Sequence, residues 1–234
     1  MRIRHYEQLY QITFLPRLFP INCYVVETPT SLIAIDMGVK KFVDALVKIS
    51  ATTGKKVTQL LLTHAHADHV NGVPYFNERF PTVRIGLSQR DALLLKGDFT
   101  PQVGEAQHKI KGSFPKMQIP VDFTFTDQTV IDRLKIIATP GHTPGSVAFF
   151  DAATGNLIAG DALQTQGGMA VSGDMNLTFP FPALATWDKS AAISSARKLQ
   201  QLAPQRLAIG HGAVKVAPAA AMTAAIEHAE QQLK

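Results

Sequence analysis

Five histidines and two aspartates along this 234-residue chain are of the types that bind metals. Four of the seven crowd into His64-Ala65-His66-Ala67-Asp68-His69. His142 follows in Thr139-Pro140-Gly141-His142-Thr143, Asp161 in Gly160-Asp161, and His211 in Gly210-His211-Gly212. Imidazole nitrogen and carboxylate oxygen suit zinc, iron and manganese. The chain has only eight histidines, so three of them with an aspartate inside six residues is not a chance grouping. Seven such ligands suffice for two divalent ions, and a pair of ions suits hydrolysis of a polar, ester-like bond. His5, His108 and His228 lie near a terminus, in a polar stretch and on the last helix, and are expected to face solvent.

The ligands need strands to carry them to one place. Val57 to Leu62 reads as a short apolar strand that runs directly into Thr63-His64. Leu134 to Ala138 precedes His142, Leu157 to Ala159 precedes Asp161, and Arg206 to Ile209 precedes His211. Four strands delivering ligands from their ends describe a site at a sheet edge. Asn22 to Glu27 and Ser31 to Asp36 read as two further strands around Thr28-Pro29-Thr30. The strands around Phe149-Phe150 and Leu157-Ile158 form a hairpin over Ala153-Thr154-Gly155-Asn156. Helical spacing covers Val39 to Ser50, stopped by Thr52-Thr53-Gly54, then Asp188 to Leu202 and Pro218 to Leu233. Strands and helices recur in both halves, which suggests two similar αβ halves.

Residues beside the ligands have supporting roles to fill. Gly141, Gly145, Gly160, Gly210 and Gly212 permit close backbone approach. Asp36, Thr63, Thr143 and Ser146 are candidates to hydrogen-bond the ligands from behind, although Thr143 and Ser146 also suit plain turn capping. Met169, Met175, Phe179, Phe181 and Trp187 make the stretch after Asp161 apolar. It either covers the site as a lid or packs between helix and sheet.

Composition narrows the function classes. Hydrophobic residues make up 46% and charged ones 18%, which fits a globular domain. No run of eighteen apolar residues occurs, so no membrane partner is expected. The first residues lack the apolar stretch of a secretory signal. Cys23 is the sole cysteine, so no intrachain disulfide forms, in keeping with a cytoplasmic location. The formal charge of +5 is spread, apart from a loose group of His108, Lys109, Lys111 and Lys116. A nucleic-acid partner is not expected from it, and a small-molecule substrate is.

The ligand order resembles the metallo-β-lactamase-fold superfamily, through its His-x-His-x-Asp-His signature from His64 to His69 and the later His, Asp and His. The resemblance runs from Asn22 to Gly212. It implies an α/β fold, a four-layer αβ/βα sandwich of two mixed β-sheets flanked by helices, here one domain over residues 1–234. It also implies that His64, His66 and His142 hold a first metal, that Asp68, His69 and His211 hold a second, and that Asp161 bridges them. Asp36 matches the aspartate that ends an early strand and supports the ligand loop.

The resemblance further implies a metal-dependent hydrolase of a small ester, lactone or thioester. Two divalent ions, zinc before iron or manganese, would share a bridging hydroxide. Asp68 is then a catalytic candidate as a proton shuttle to the leaving group, as well as a ligand. True β-lactamases of this fold lack an aspartate such as Asp161, and some use a cysteine ligand, so that activity is disfavoured. Thr139 to Ser146 looks like hydroxyacylglutathione hydrolase, which adds a C-terminal helical region with basic residues. Here one short helix follows His211, with Lys215 and Lys234. Acyl-homoserine lactonases share all seven ligands and place a tyrosine after the bridging aspartate, where this chain has Ala162-Leu163-Gln164. Gln166 to Pro182 looks more like a group of uncharacterised bacterial hydrolases. The alternatives are a mononuclear iron enzyme resembling persulfide dioxygenases, and a phosphodiesterase.

Overall fold

The chain lays down its first sheet in sequence order. β1 (Arg2–Tyr6), β2 (Leu9–Phe14), β3 (Ile21–Glu27) and β4 (Ser31–Ile35) pair antiparallel. β5 (Lys56–Leu61), β6 (Arg84–Ser88) and β7 (Phe123–Phe125) extend it in parallel. The second sheet uses β8 (Val130–Ile131), β9 (Leu134–Ala138), β10 (Val147–Asp151) and β11 (Asn156–Ile158). A small hairpin of β12 (Leu163–Gln164) and β13 (Ala170–Val171) intervenes before β14 (Arg206–Ala208) and β15 (Lys215–Val216) complete it. Its order is β15-β14-β11-β10-β9-β8, antiparallel except for β11 beside β14. This is a computed structural model describing residues 1–233, so Lys234 lies outside the described residues.

Alternation within the strands explains the layers. Successive side chains of a strand point to opposite faces. On β4, Leu32 and Ala34 join one core with Phe42, Leu46 and Phe76, whereas Ile33 and Ile35 join a second. On β10, Val147 and Phe149 enter that same second core, and Ala148 enters a third with Ala196, Leu199 and Ile226. The second core therefore lies between the sheets, and each sheet's other face is covered by helices. α1 (Lys41–Thr53), α2 (Ala67–Val70), α3 (Val73–Arg79) and α4 (Gln89–Leu95) follow strands of the first sheet. α5 (Phe181–Ala185) and α6 (Lys189–Gln200) follow the β12–β13 hairpin, and α7 (Ala219–Gln231) follows β15 of the second sheet. This is the four-layer αβ/βα sandwich.

Local signals set the helix ends. Gly54 stops α1 in a left-handed conformation, φ 67°, at the Thr52-Thr53-Gly54 signal. Asp188 caps α6 by accepting a hydrogen bond from the Ala191 backbone N–H at 3.1 Å. The β1–β2 hairpin carries no sequence signal of comparable strength: β1 is an edge strand whose Ile3, Arg4 and His5 are exposed, so it lacks an apolar alternation. No helix among the described residues is long and apolar enough to cross a membrane.

Candidate metal centre

The ends of four strands meet at one edge of the sandwich. His64 follows β5, and the chain turns through His66 into α2, which carries Asp68 and His69. His142 lies in the loop after β9, Asp161 after β11 and His211 after β14. Ligand atoms of His64, His66 and His142 fall within 4.8 Å of one another. So do those of Asp68, His69 and His211, and those of His64, His69 and Asp161. All but Asp68 are buried. His5, His108 and His228 lie elsewhere: His5 stacks on Tyr10 and His228 pairs with Asp174 at 2.7 Å.

Counting protons fixes the orientation of every imidazole. His211 Nδ1 donates to the Pro20 carbonyl at 2.7 Å, and His66 Nε2 donates to the Lys111 carbonyl at 3.0 Å, because a carbonyl only accepts. His69 Nδ1 donates to Asp36 Oδ2 at 2.8 Å. The Thr63 hydroxyl donates to the same Asp36 oxygen, so it accepts from His64 Nδ1 at 3.0 Å. The Thr186 hydroxyl donates to the Pro182 carbonyl, hence Ser172 donates to Thr186, and hence His142 Nδ1 donates to Ser172 at 2.9 Å. Each outer bond reserves the other ring nitrogen for the centre: Nε2 of His64, His69, His142 and His211, and Nδ1 of His66.

The chemistry of these inner atoms fits metal ions. His64 Nε2 is buried without a hydrogen-bond partner, and His69 Nε2 and Asp161 Oδ1 have only each other. A buried polar atom left unpaired is costly, and a cation at the centre removes that cost. Asp161 stands between the groups, with Oδ1 3.3 Å from His69 Nε2 and Oδ2 3.1 Å from His211 Nε2 and 3.4 Å from His142 Nε2. Burial keeps His64 well below the usual imidazole range and lowers His142 to about 3. Burial also disfavours charge on His211, but Asp161 and Asp68 outweigh it and push the ring up to about 10. Burial works against ionisation of Asp161, yet His211 and His69 hold it well below the ordinary carboxylate range. Three carboxylates, Asp36, Asp68 and Asp161, are available to offset the charge of bound divalent ions.

A second set of residues holds the ligand loops. Asp36, in a left-handed backbone conformation at φ 61°, also accepts from the Thr63 backbone N–H at 2.7 Å. Asp91, fully buried on α4, accepts from the Ala65 N–H at 2.8 Å, the Thr143 hydroxyl at 2.8 Å and the Gly145 N–H at 2.9 Å. It thereby ties the His64–His69 loop to the His142 loop. Thr143 and Ser146 thus serve that clamp, their hydroxyls 2.7 Å apart, rather than a ligand directly. Across the sheets, Asn22 and Tyr24 bond the Ile209 carbonyl and Gln11 bonds the Gly212 carbonyl, which fixes the His211 turn. Gly210 leaves no room for a side chain, since a Cβ would collide with Asp161 and come 2.7 Å from His69 Cε1. Gly112, at φ 103°, lies against the His66 ring in the same way. Asp91, Ser172, Thr186 and the Lys111–Ser113 strap carry no motif that marks them. The one local signal is the Ser88 cap of α4, which accepts from the Asp91 N–H.

A cavity of about 430 Å³ opens onto the ligands, lined by Phe19, Ile21, Val39, Phe181 and Pro182 alongside Asp68, Asp161 and His211. The apolar stretch after Asp161 divides between its two expected uses. Phe179 and Phe181 pack with Phe19 beside His211. Trp187 is buried with Ala65, Leu94 and Ile110, and Met169 packs against the core of the second sheet. Met175 lines a separate cavity with Asp174 and His228.

Comparison with known proteins decides the family. Residues 16–211 match the model of the metallo-β-lactamase superfamily. The chain belongs to this superfamily. The uncharacterised protein YobT of Bacillus subtilis (strain 168) is 43% identical over 232 residues, covering 99% of this chain and 100% of its own. The probable metallo-hydrolase YflN of the same organism is 30% identical, covering 82% of this chain and 80% of its own. Hydroxyacylglutathione hydrolase of Gloeobacter violaceus is 28% identical over 51% of this chain and 38% of its own length. Among solved structures, TTHA1623, crystallised in a di-iron-bound form, superposes with a TM-score of 0.66 at 29% identity, over 90% of this chain and 96% of its own. DIM-1 metallo-β-lactamase superposes at 0.74 over 99% of this chain and 97% of its own, but at 17% identity it shares the fold alone. Within this superfamily, the histidine and aspartate cluster is a site for divalent metals.

Proposed function

We propose that this superfamily metallo-hydrolase binds two divalent ions, zinc first, and hydrolyses a small ester, lactone or thioester. One observation carries the reading: five imidazoles oriented by outer partners turn their second ring nitrogens inward around the shared carboxylate of Asp161. His64, His66 and His142 would hold one ion, Asp68, His69 and His211 the other, and Asp161 both. Such a pair supplies a hydroxide nucleophile near neutral pH and polarises a carbonyl oxygen.

The protein's own share is positioning and proton handling. Asp36 and Asp91 hold the ligand loops, and the aromatic wall limits water around the scissile bond. Asp68 is the most exposed of the seven, with 31% of its side chain accessible at the cavity mouth. That exposure supports a second role for Asp68, handing a proton to the departing alkoxide or thiolate. The di-iron relative makes iron the second metal to test. The partner is a small molecule rather than nucleic acid, and the lone buried Cys23 supports a reducing cytoplasmic setting.

The test is turnover of lactone, thioester and phosphodiester panels by protein reconstituted with zinc, iron or manganese. Hydrolysis of carboxylic esters, lactones or thioesters is expected, with phosphodiesters slower. Phosphodiesters turned over best, or oxygen uptake by a one-iron form without hydrolysis, would replace this reading.

A further inference from the structure

The wall of the cavity is chemically one-sided. Phe19 sits 4.9 Å from Phe181 and 5.1 Å from Phe179, centroid to centroid, and 5.5 Å from the His211 ring. Phe179 is buried and braces the group, whereas Phe181, on α5, is half exposed and faces the opening. Ile21, Val39 and Pro182 continue the apolar surface. The charged residues lining the cavity are Asp68 and Asp161, and its lining includes neither lysine nor arginine.

This wall begins at the ligands themselves, since Phe19 and Phe179 both touch the His211 ring. A substrate with its carbonyl at the centre therefore extends its next atoms across phenylalanine faces. An alkyl group gains there by leaving water. A carboxylate lying beyond the metals would lose its hydration against the apolar wall, with no lining lysine or arginine to pair it. The cavity volume falls in the range of small-molecule sites, so several methylene groups fit.

Building on the hydrolase reading above, we infer that the substrate is an uncharged ester, thioester or lactone with an apolar acyl chain, and that Phe19 and Phe181 determine that specificity. The departing group is likewise uncharged, which sets the chain apart from enzymes acting on glutathione thioesters, whose leaving group carries carboxylates.

The test uses the zinc-loaded full chain and two thioester series, acyl-N-acetylcysteamine and S-acylglutathione, with acyl groups of two to eight carbons. For the uncharged series, kcat/KM is expected to rise about fourfold per added methylene until the cavity is filled. The glutathione thioester of the same acyl group is expected to be at least about tenfold poorer. Phe181→Ala and Phe19→Ala should flatten the chain-length dependence, chiefly through KM, and Phe181→Leu should restore most of it. A flat dependence, or preference for the glutathione series, overturns the inference while leaving the hydrolase reading intact. If neither series is hydrolysed, the hydrolase reading fails for thioesters, and binding decides the inference by itself. Calorimetry of linear aliphatic hydroxamic acids then supports it if affinity climbs with chain length and drops in Phe181→Ala, and overturns it if affinity is independent of length.

Discussion

Nδ1 of His66 and Nε2 of His142 lie 2.9 Å apart, and neither carries a proton to share. The proton of His66 is committed to Lys111 and that of His142 to Ser172. Two buried lone pairs at that distance repel unless a cation lies near both. Burial also keeps both rings from protonating at neutral pH. Removing metal with a chelator should therefore destabilise the fold. At a free metal concentration about a hundred times Kd, binding adds about 2.7 kcal/mol, which corresponds to roughly 5–10 °C in Tm for a domain of this size. Differential scanning calorimetry with and without chelator measures it. An unchanged Tm would show that the centre holds no metal.

Metal loading should release protons. In the metal-free protein burial opposes charge on His211 and His69, but their carboxylate neighbours prevail, raising His211 to about 10 and His69 well above its ordinary range. At pH 7 both rings then carry a proton on the inner nitrogen that a metal needs, so loading releases about two protons per chain and tightens as pH rises. The same raised values give the metal-free fold stability that is fully present below about pH 6.5 and is lost as pH climbs toward about 10. Calorimetry in buffers of different ionisation enthalpy counts the protons. No release, or an affinity that ignores pH, would contradict these protonation states.

Asp91 should be intolerant even of its amide. Burial pushes its carboxyl up to about 6, against three donors that occupy both oxygens. Asp91→Asn removes the buried charge, but its NH2 must then face one of those donors. A loss of about 2 kcal/mol or more is expected, visible as a lowered urea midpoint, together with weaker metal binding because both ligand loops loosen. A variant as stable as the parent would remove the clamp role.

Ser172→Ala deletes the acceptor that orients His142. Thr186 is the remaining hydroxyl, at a longer 3.3 Å. Loss of such an outer partner is expected to weaken metal affinity about 10- to 100-fold with little change in Tm of the metal-free protein. Chelator competition reads the affinity directly, and parental affinity would show that Ser172 does not orient the ligand.

Much of this centre was legible because its ligands stand at strand ends. β5, β9, β11 and β14 are short apolar runs, and each hands over to glycine or threonine beside a ligand type. The clamp was not legible, because Asp91 meets Ala65 and Gly145 from 26 and 54 residues away and no local pattern encodes that meeting. The Lys111–Ser113 strap was hidden for the same reason: its carbonyls, not its side chains, meet His66 and Ala67. Strand β1 has no legible signal because an exposed edge strand with Arg2, Arg4 and His5 lacks the alternation that reveals a half-buried one, and β2 buries Gln11 and Thr13 beside Leu9 and Ile12, which hides its pattern. The apolar stretch after Asp161 looks like one unit in the sequence, yet Phe181 reaches the cavity while Trp187 packs into a separate core cluster.

The number of metal ions per chain tests the two-metal centre most directly. Inductively coupled plasma mass spectrometry on reconstituted, desalted protein should find two ions in the parent and no more than one in Asp161→Ala, with hydrolysis lost. One ion in the fully reconstituted parent, or two ions and full activity in Asp161→Ala, would contradict a centre bridged by Asp161.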